Sequence, residues 1–383
     1  FDIADYPNAA PDDTLGLPIP IAYGKVKGAK AFLIDSTTNE FKFLDHAVTR
    51  VTRYYNGDNE GFTPNSVNIS DSTFIYTDWN GEDNLFVDCE AADANPVDCV
   101  KQLLIDETRG AGIPESEIDT TSMDGTGFGT SGARNKYIAG ISTRNGAESY
   151  TFEMSLYIDD RREVTDIVDE VKATAFAFVF VDLSGVWQYK AWEPAQSQGV
   201  LELTEDSLKG MIKPDVQTAD SQTRVTVTYG KNYSNDTLQT YTYEDDQLRQ
   251  KRGLTKHSLY EKEVPLSNKS GAKLFAQYQT LMRGNPRRVY NATATNQFKT
   301  TEPGDTIRIN YPPQNLDFVT NVTESTQIPG RIEVGLKSMD VFSFQDKPGF
   351  WTEDSFEFPD DIAEGYGTIT TWDDTWPDAQ VLW

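Results

Sequence analysis

The first third of the chain alternates apolar and polar residues in the way that β-strands do. Residues 18–35 and 41–62 both show this period-two pattern, which predicts strands with one buried face. The Asn-Gly-Asp triplet at 56–58 is typical of a tight hairpin turn. We therefore expect an antiparallel β domain over residues 1–123.

One helix is predicted inside this domain, near residues 96–109. Asn95 is a suitable N-cap, and Pro96 fits the first helical position because its missing N–H has no partner there anyway. The apolar residues that follow recur at helical spacing: Val97, Val100, Leu103 and Leu104. Arg109 and Gly110 are typical of a helix C-terminus, so we expect the helix to end there.

A mixed region follows the first domain. Residues 124–135 are rich in Gly, Ser and Thr and are interpreted as a mobile linker. Residues 136–213 then combine helical and strand patterns, which predicts a middle α+β domain. Within it, a helical stretch leads into an apolar strand, and a hairpin is expected with its turn at Ser184 and Gly185.

The rest of the chain falls into two predicted parts. Residues 214–345 contain further alternating strands and one helical pattern near 270–283, which together predict a C-terminal β domain. Residues 346–383 have a different character, because the stretch 348–383 has no Lys or Arg and is rich in acidic residues. We interpret this last segment as an extended arm without a core of its own. The predicted class is therefore mainly β with a few helices (α+β).

The arm also carries the strongest candidates for a binding surface. Four of the seven tryptophans of the chain lie in it. Tryptophan is costly to leave in water and is enriched at the energetic centres of interfaces. The candidate partner-interface residues are Trp351, Trp372, Trp376 and Trp383. The alternative is that these side chains pack onto their own chain, and the sequence favours neither possibility.

Charge and composition exclude several classes of protein. The 383 residues include 60 acidic and 34 basic side chains, which gives a formal net charge of −26. Such a chain lacks the cations that tight duplex binding or a polybasic membrane anchor requires. Aromatic residues make up 12% of the chain, which disfavours overall disorder. No apolar run approaches the roughly 20 residues that cross a bilayer, and no secretory signal pattern is present, although the sequence opens at Phe1 rather than Met.

Residues suited to catalysis or metal binding are few. His46 and His257 are the only histidines, and Cys89 and Cys99 the only cysteines. A single bridge between the cysteines is open, but two reduced thiols, with Cys99 in a helix, is the preferred interpretation. The Gly-rich run at 125–132 lacks the strand and long helix of a phosphate-binding loop. We therefore predict no catalytic, cofactor-binding or metal-ligating residue.

Three further patterns have an ordinary explanation that we prefer. Paired acids at 159–160, 245–246, 360–361 and 373–374 resemble glycosidase carboxylates, but chance pairs in solvated turns are expected among 60 acids. The stretch at 78–84 gathers oxygen ligands but lacks the spacing of a calcium loop, so a plain turn is favoured. Six Asn-x-Ser/Thr triplets are interpreted as products of Asn-rich strand edges rather than glycan sites.

Several blocks, in their order along 5–344, resemble the tail-hub (baseplate hub) proteins of tailed bacteriophages. The first blocks are DYPNAAPDDTLGLPIPIAYGKVKG and the helix with its Gly-Ile-Pro loop, VDCVKQLLIDETRGAGIPESEIDTTSM. The middle block is FAFVFVDLSGVWQYKAW. The late blocks are RVTVTYGKNYS, the helix SGAKLFAQYQTLMRGNP and the strand entered by Gly-Asp, EPGDTIRINYP. The acidic arm lies outside this resemblance.

The resemblance implies a structural virion protein. It implies tail-tube-like antiparallel barrels, an inserted middle domain and a homotrimeric ring that presents six similar barrels to the tail tube. The expected partners are a tail-tube or distal tail protein and spike, fibre or adaptor proteins, in a tail tip or baseplate assembled in the host cytoplasm. DNA passes through without specific binding, and no enzyme activity or cofactor is expected. A surplus of negative charge fits this role, because like-charged walls do not retain DNA.

Two other functions compete with this one. The first is a secreted carbohydrate-binding or carbohydrate-cleaving β protein, in which aromatic faces stack on sugars and paired carboxylates cut them. The second is a surface adhesin. A screen for cleavage of polysaccharides distinguishes the carbohydrate-active protein from a structural one. Cleavage that disappears when one acid pair is changed would indicate a glycosidase.

Overall fold

The protein is mainly β with a few helices, as the sequence predicts, and a curled antiparallel sheet forms a half-barrel. A computed structural model describes residues 5–9, 16–124, 133–141, 148–192, 201–217, 222–251, 253–284, 287–327 and 333–340. The predicted arm at 346–383, and all but the ends of the predicted linker at 124–135, lie outside the described residues.

The strands of the described residues are numbered β1–β20 in chain order. They are β1 Ile21–Asp35, β2 Glu40–Lys42, β3 Val48–Asn56, β4 Ser66–Asn68, β5 Thr73–Ile75, β6 Leu85–Ala91, β7 Ile138–Ile141, β8 Glu148–Tyr150, β9 Ser155–Ile158, β10 Ala177–Val181, β11 Trp187–Ala191, β12 Leu201–Leu203, β13 Lys213–Gln217, β14 Arg224–Asn232, β15 Thr237–Glu244, β16 Leu259–Glu263, β17 Arg287–Thr295, β18 Thr306–Tyr311, β19 Leu316–Gln327 and β20 Glu333–Asp340. The helices are α1 Pro96–Ile105, α2 Thr120–Asp124, α3 Ala133–Lys136, α4 Val164–Thr174, α5 Asp246–Lys251 and α6 Lys269–Gly284.

The chain divides into two compact units. Unit 1 consists of Phe1–Ala175, Val227–Tyr241 and Lys262–Ala272. Unit 2 consists of Phe176–Thr226, Thr242–Glu261 and Lys273–Trp383. The five-part division expected from the sequence stays a prediction.

Unit 1 is organised around the long strand β1. This strand pairs with β9 through residues 21–24, with β6 from Lys25 to Ala31 and with β2 from Phe32 onward. One 15-residue strand thus has three antiparallel partners in turn, and it also pairs in parallel with β14 at Lys27. Gly24 lies where β1 passes from β9 to β6, and Gly28 lies in the bulge of its pairing with β6. Their φ values of 72° and 73° fall in a region that side chains with a Cβ rarely adopt. Both positions of this strand therefore favour glycine.

The core of unit 1 lies on one face of the β1–β6–β3 sheet. In β6, burial alternates strictly: Leu85, Val87, Cys89 and Ala91 point inward, and the residues between them are half-buried. An aromatic cluster extends this core around Phe74, whose ring lies 5.3 Å from that of Phe41. Edge-to-face and offset ring pairs of this kind add to the apolar area they bury.

Helix α1 begins where the sequence predicts and ends earlier. The Asn95 side chain accepts a hydrogen bond from the Val97 N–H, and Pro96 occupies the first position. The apolar stripe of α1 is buried, and the helix packs against α4. It ends at Ile105 rather than at Arg109, because the Asp106 carboxylate accepts the N–H groups of Thr108 and Arg109 in a local turn.

Unit 2 contains a second sheet with the strand order β12-β18-β19-β20-β17-β13 among the described residues. All the strand pairs of this sheet are antiparallel except β12 with β18, which run parallel. Its core is apolar and includes the fully buried Tyr290, Phe298 and Ile309. Tyr290 packs on Phe318 with ring centroids 4.8 Å apart.

Candidate assembly surface

The strongest candidate for a functional surface is the β10–β11 hairpin in unit 2. Its strands pair in register from Ala177 with Ala191 to Val181 with Trp187. Among the described residues, neither strand pairs with a third. The apolar sequence AFVFV would be typical of a strand buried on both faces, yet four of these residues are half-buried and the fifth is exposed. The hairpin therefore presents apolar surface that the described part of the chain does not fully cover.

The turn of this hairpin is held rigidly by one carboxylate. Asp182 accepts hydrogen bonds from the Ser184 N–H at 2.8 Å, the Ser184 hydroxyl at 2.7 Å and the Val186 N–H at 3.0 Å. These donors stabilise the charged form, and the hydrogen bond from the Ser184 side chain contributes most in lowering the Asp182 pKa to about 2. Gly185 completes the turn with φ of 86°. The tip is thus preorganised without a partner.

Charged side chains fix one face of the hairpin base. Lys190 Nζ lies 2.7 Å from Glu302 Oε2 and 2.8 Å from Asp305 Oδ1. Burial by itself lowers the Lys190 pKa, but the hydrogen bonds to Asp305 and Glu302 outweigh it and raise that pKa. Gly304, between the two acids, leaves room for Phe178, whose ring would lie 3.1 Å from a Cβ at this position. This contact anchors the base to the turn that precedes β18.

Aromatic packing fixes the chain at the foot of the hairpin. Phe176 lies against Phe275 and Tyr278 of α6, with ring centroids 5.3 Å and 4.9 Å apart. Trp192, just after β11, meets Tyr278 edge-on at 6.2 Å. Tyr189 is 1% exposed. The foot of the hairpin is therefore part of the packed interior of unit 2.

The tip, in contrast, is exposed. Val181 is 47% exposed and Leu183 is 54% exposed. Trp187, opposite Val181, is half-buried. A preorganised hairpin with a packed foot and an apolar tip can bury that tip against another protein at a small cost in conformational entropy.

The sequence predicts part of this surface and misses its anchor. The hairpin and its turn at Ser184 and Gly185 are confirmed. Lys190 and its acidic partners are more than 100 residues apart in the chain, so no local pattern could have connected them. The Glu-Pro-Gly-Asp sequence before β18 is typical of a turn, but it does not indicate that the two acids of this turn bind Lys190. The predicted interface residues lie outside the described residues: Trp351, Trp372, Trp376 and Trp383.

The acid pairs 159–160 and 245–246 can be located in the described part of the chain. Asp159 and Asp160 are both exposed. Asp245 accepts the Leu248 N–H at 2.8 Å at the start of α5, and Asp246 pairs with Arg249 at 2.9 Å. The hydrogen bond from Arg249 is the largest cause that lowers the Asp246 pKa. The first pair therefore lies in an exposed segment after β9 and the second at the start of a helix, as expected of solvated surface acids.

His46 and the two cysteines also occupy structural positions. His46 Nε2 accepts the Ala22 N–H at 2.9 Å, and burial is the main cause that lowers the His46 pKa. Cys89 and Cys99 are both free and buried, which confirms the prediction of reduced thiols. Burial raises the pKa of each thiol, so neither is activated as a nucleophile. The turn at 78–84 is closed by the Asn80 side chain, which accepts the Glu82 N–H at 3.0 Å.

Metal and membrane sites were searched in the same part of the chain. Among the described residues, no group of three or more His, Cys, Asp or Glu side chains could hold a metal ion. None of the described helices combines the length and apolarity that a bilayer crossing needs.

The fold of the chain has a counterpart among solved structures. The chain is similar to a protein in the virion of the native gene transfer agent (GTA) particle, over 90% of this chain and 89% of that one, with a TM-score of 0.51 and 10% sequence identity. The protein shares its fold with that virion component. At this level of identity the likeness shows the fold alone.

Other structural neighbours are tail proteins. A tail protein from Neisseria meningitidis matches over 84% of this chain and 90% of its own, with a TM-score of 0.39 and 10% identity. A prophage tail protein from Listeria monocytogenes matches over 86% of this chain and 97% of its own, with a TM-score of 0.35 and 11% identity. No family model matches the sequence, and no curated protein matches it.

Proposed function

We propose that this protein is a structural component of a phage-type tail: the homotrimeric hub of the tail tip or baseplate, which closes the tail tube and forms part of the DNA conduit. The observation that supports this most strongly is the fold shared with a virion protein over nearly the full length of both chains. The ordered blocks that resemble tail hubs point in the same direction.

The physical properties of the chain fit such a role. A net charge of −26 disfavours retention of DNA, because no ladder of cations replaces the phosphate counterions. The rigid β10–β11 hairpin, with Val181 and Leu183 exposed at its tip, supplies an apolar contact for a neighbouring subunit or tail protein. Permanent assemblies bury large apolar interfaces of this kind. The proposed location is therefore the virion, and the proposed role is structural rather than enzymatic.

The proposal also assigns the end of the chain. We propose that 346–383 is an interface segment whose tryptophans, Trp351, Trp372, Trp376 and Trp383, contact a neighbouring subunit or an adaptor protein. Deleting 348–383 is expected to leave the fold intact, measured by circular dichroism, and to weaken assembly. Unchanged assembly after the deletion would contradict this assignment.

Sedimentation velocity on the full chain tests the central proposal. We expect a species with three times the mass of one chain, and binding of a tail-tube or distal tail protein. In the Leu183→Asp variant the trimer should dissociate at protein concentrations at least tenfold higher, since a charge at the tip opposes burial. Met211→Asp is the matched control, because Met211 is 69% exposed but lies outside the hairpin. A wild-type chain that stays monomeric and ignores tail-tube protein refutes the proposal.

A further inference from the structure

The outer face of the β3–β6–β1 sheet in unit 1 is basic, in contrast to the chain as a whole. The inner face is the core described above, so residues opposite Phe86, Asp88 and Glu90 on the neighbouring strands point outward. Register places Arg50 and Lys25 on either side of Glu90. It places Arg53 beside Asp88, and Lys30 beside Phe86, while Lys27 lies in the bulge of β1 opposite Asp88. We call this set the basic face: Lys25, Lys27, Lys30, Arg50 and Arg53.

The five cations of this face outnumber the three acids beside them, which are Asp88, Glu90 and Glu153. Arg50 pairs with Glu90 at 2.7 Å and Lys25 with Glu153 at 2.7 Å. The Asp88 carboxylate accepts the Gly28 N–H at 2.8 Å and the Tyr55 hydroxyl at 3.3 Å, so it is engaged with the sheet itself. Within the described residues, no carboxylate forms an ion pair with the remaining three cations of the face: Lys27, Lys30 and Arg53.

Aromatic rings lie among these cations. Arg53 stacks over Tyr55 at 4.7 Å and Lys30 lies over Phe32 at 5.4 Å, each cation two residues before its ring on one strand. The Tyr55 ring in turn packs on Phe86 at 5.8 Å. The rings themselves are covered, since Tyr55 is 2% and Phe32 is 8% exposed. A ligand therefore reaches the cations of this surface, which attract carboxylates and ring faces alike.

One segment of this chain carries both carboxylates and aromatic rings. Residues 348–383 contain no Lys or Arg and four tryptophans. Their nine carboxylates are Glu353, Asp354, Glu357, Asp360, Asp361, Glu364, Asp373, Asp374 and Asp378. The stretch after Asp340, where β20 ends, spans up to roughly 140 Å when extended, which is enough to reach an adjoining subunit.

We propose that the basic face is the docking site for residues 348–383 of a neighbouring copy of this chain. This inference rests on the proposed self-assembly, and it adds the surface on which the C-terminal segment of one subunit binds the next subunit. Carboxylates of the segment pair with Lys27, Lys30 and Arg53, and its tryptophans stack on the exposed guanidinium and ammonium groups. A duplex DNA ligand would satisfy the same cations, but the net charge of −26 opposes its approach.

Zero-length cross-linking tests this contact directly on the full-length protein. Equal amounts of ¹⁴N- and ¹⁵N-labelled wild-type chain are mixed, allowed to exchange and treated with a carbodiimide, which joins lysine amines only to carboxylates in contact. Peptide mass spectrometry is expected to find Lys27 or Lys30 joined to an acid of 348–383, with the two isotopes mixed in one product. Cross-links confined to one isotope would place the segment on its own chain and overturn the proposal, as would their absence.

Charge reversal supplies an independent measurement. The triple variant Lys27→Glu, Lys30→Glu, Arg53→Glu should need at least tenfold more protein for half-assembly in sedimentation velocity. The corresponding triple Gln variant removes the three positive charges without adding negative ones, so it disturbs the fold less. It should weaken assembly in the same direction but by a smaller factor. The matched control reverses three other exposed cations, Arg161, Lys209 and Lys256, which gives the same net charge and should leave assembly within twofold of that of the wild type.

Mixing separates this inference from the proposed function. A full-length chain with its nine segment acids changed to Asn and Gln should assemble as poorly as the face-reversed chain. An equal mixture of the two should recover part of the assembly, because a mixed trimer contains one contact in which an intact segment meets an intact face. Lack of recovery, or wild-type binding to labelled duplex DNA that the face reversal abolishes, would overturn the inference. A wild-type trimer with unaffected variants refutes the docking site alone, whereas a monomeric wild type refutes the proposed function.

Discussion

The change Gly24→Ala tests how the fold of unit 1 is built. At Gly24 the strand β1 passes from β9 to β6, with φ of 72°. A Cβ at this position would lie 2.0 Å from the Met154 carbonyl oxygen and 3.3 Å from the Ala94 Cα. Both are backbone atoms, so no flexible side chain can move aside. The sheet must therefore separate locally to accept even a methyl group.

The expected loss of stability follows from two contributions. Placing alanine in the left-handed region costs about 1–2 kcal/mol. Moving the Met154 backbone also weakens two hydrogen bonds, from the Lys25 N–H to the Met154 carbonyl at 3.2 Å and from the Gly24 N–H to the Ala92 carbonyl at 3.0 Å, each contributing about 1 kcal/mol. Alanine recovers about 0.5 kcal/mol by restricting the unfolded chain. The sum is about 2–4 kcal/mol.

Urea unfolding followed by circular dichroism measures this loss, and Gly81→Ala is its control. Gly81 has φ of 86°, but a Cβ there meets nothing within 4 Å, so only the backbone contribution of about 1 kcal/mol remains. Gly24→Ala should therefore lose at least about 1–2 kcal/mol more than Gly81→Ala. Equal losses in the two variants would refute the close approach of β1 to Met154 as the reason for glycine.

Two further changes probe charges in the two units. Burial, followed by repulsion from Asp98, raises the Asp93 pKa to about 6, so the contribution of Asp93 to stability should fall as pH rises from about 4 to 6. Asp93→Asn should therefore gain about 1–2 kcal/mol over the wild type at pH 7.5 and nothing at pH 4 in urea unfolding, and an equal effect at both pH values would contradict this. Lys190→Met leaves Glu302 and Asp305 together without their cation and should lower the free energy of unfolding by about 1–3 kcal/mol at pH 7. Part of this loss should be recovered when Glu302→Gln and Asp305→Asn are added. A triple variant that is no more stable than Lys190→Met would contradict the ion pairs of Lys190.

Local signals predicted the elements that depend on local chemistry. Helix α1 begins at its Asn95 cap because capping needs only the next few residues. The hairpin turn at Ser184 and Gly185 follows for the same reason. Strand β15 and helix α5 were missed, since the Thr- and Tyr-rich strand lacks the aliphatic alternation that marks a buried face and α5 lies in a charged stretch. Propensity is a weak guide where burial does not impose a pattern.

Long-range features could not be obtained from the sequence. Gly24 and Gly28 marked interruptions in the pattern, but only the structure shows that β1 continues through both and pairs with β9, β6, β2 and β14. The basic face combines β1 with β3 across β6, so its five cations are dispersed in a sequence with a large acidic excess. Candidate sites built by sheet register are invisible until strand order is known.

Electron cryomicroscopy of the purified full-length protein tests the central claim most directly. Two-dimensional class averages should show three copies around an axis, with an open centre and edges that contact one another. A field of solitary molecules, at concentrations where tail components are expected to assemble, would contradict the account.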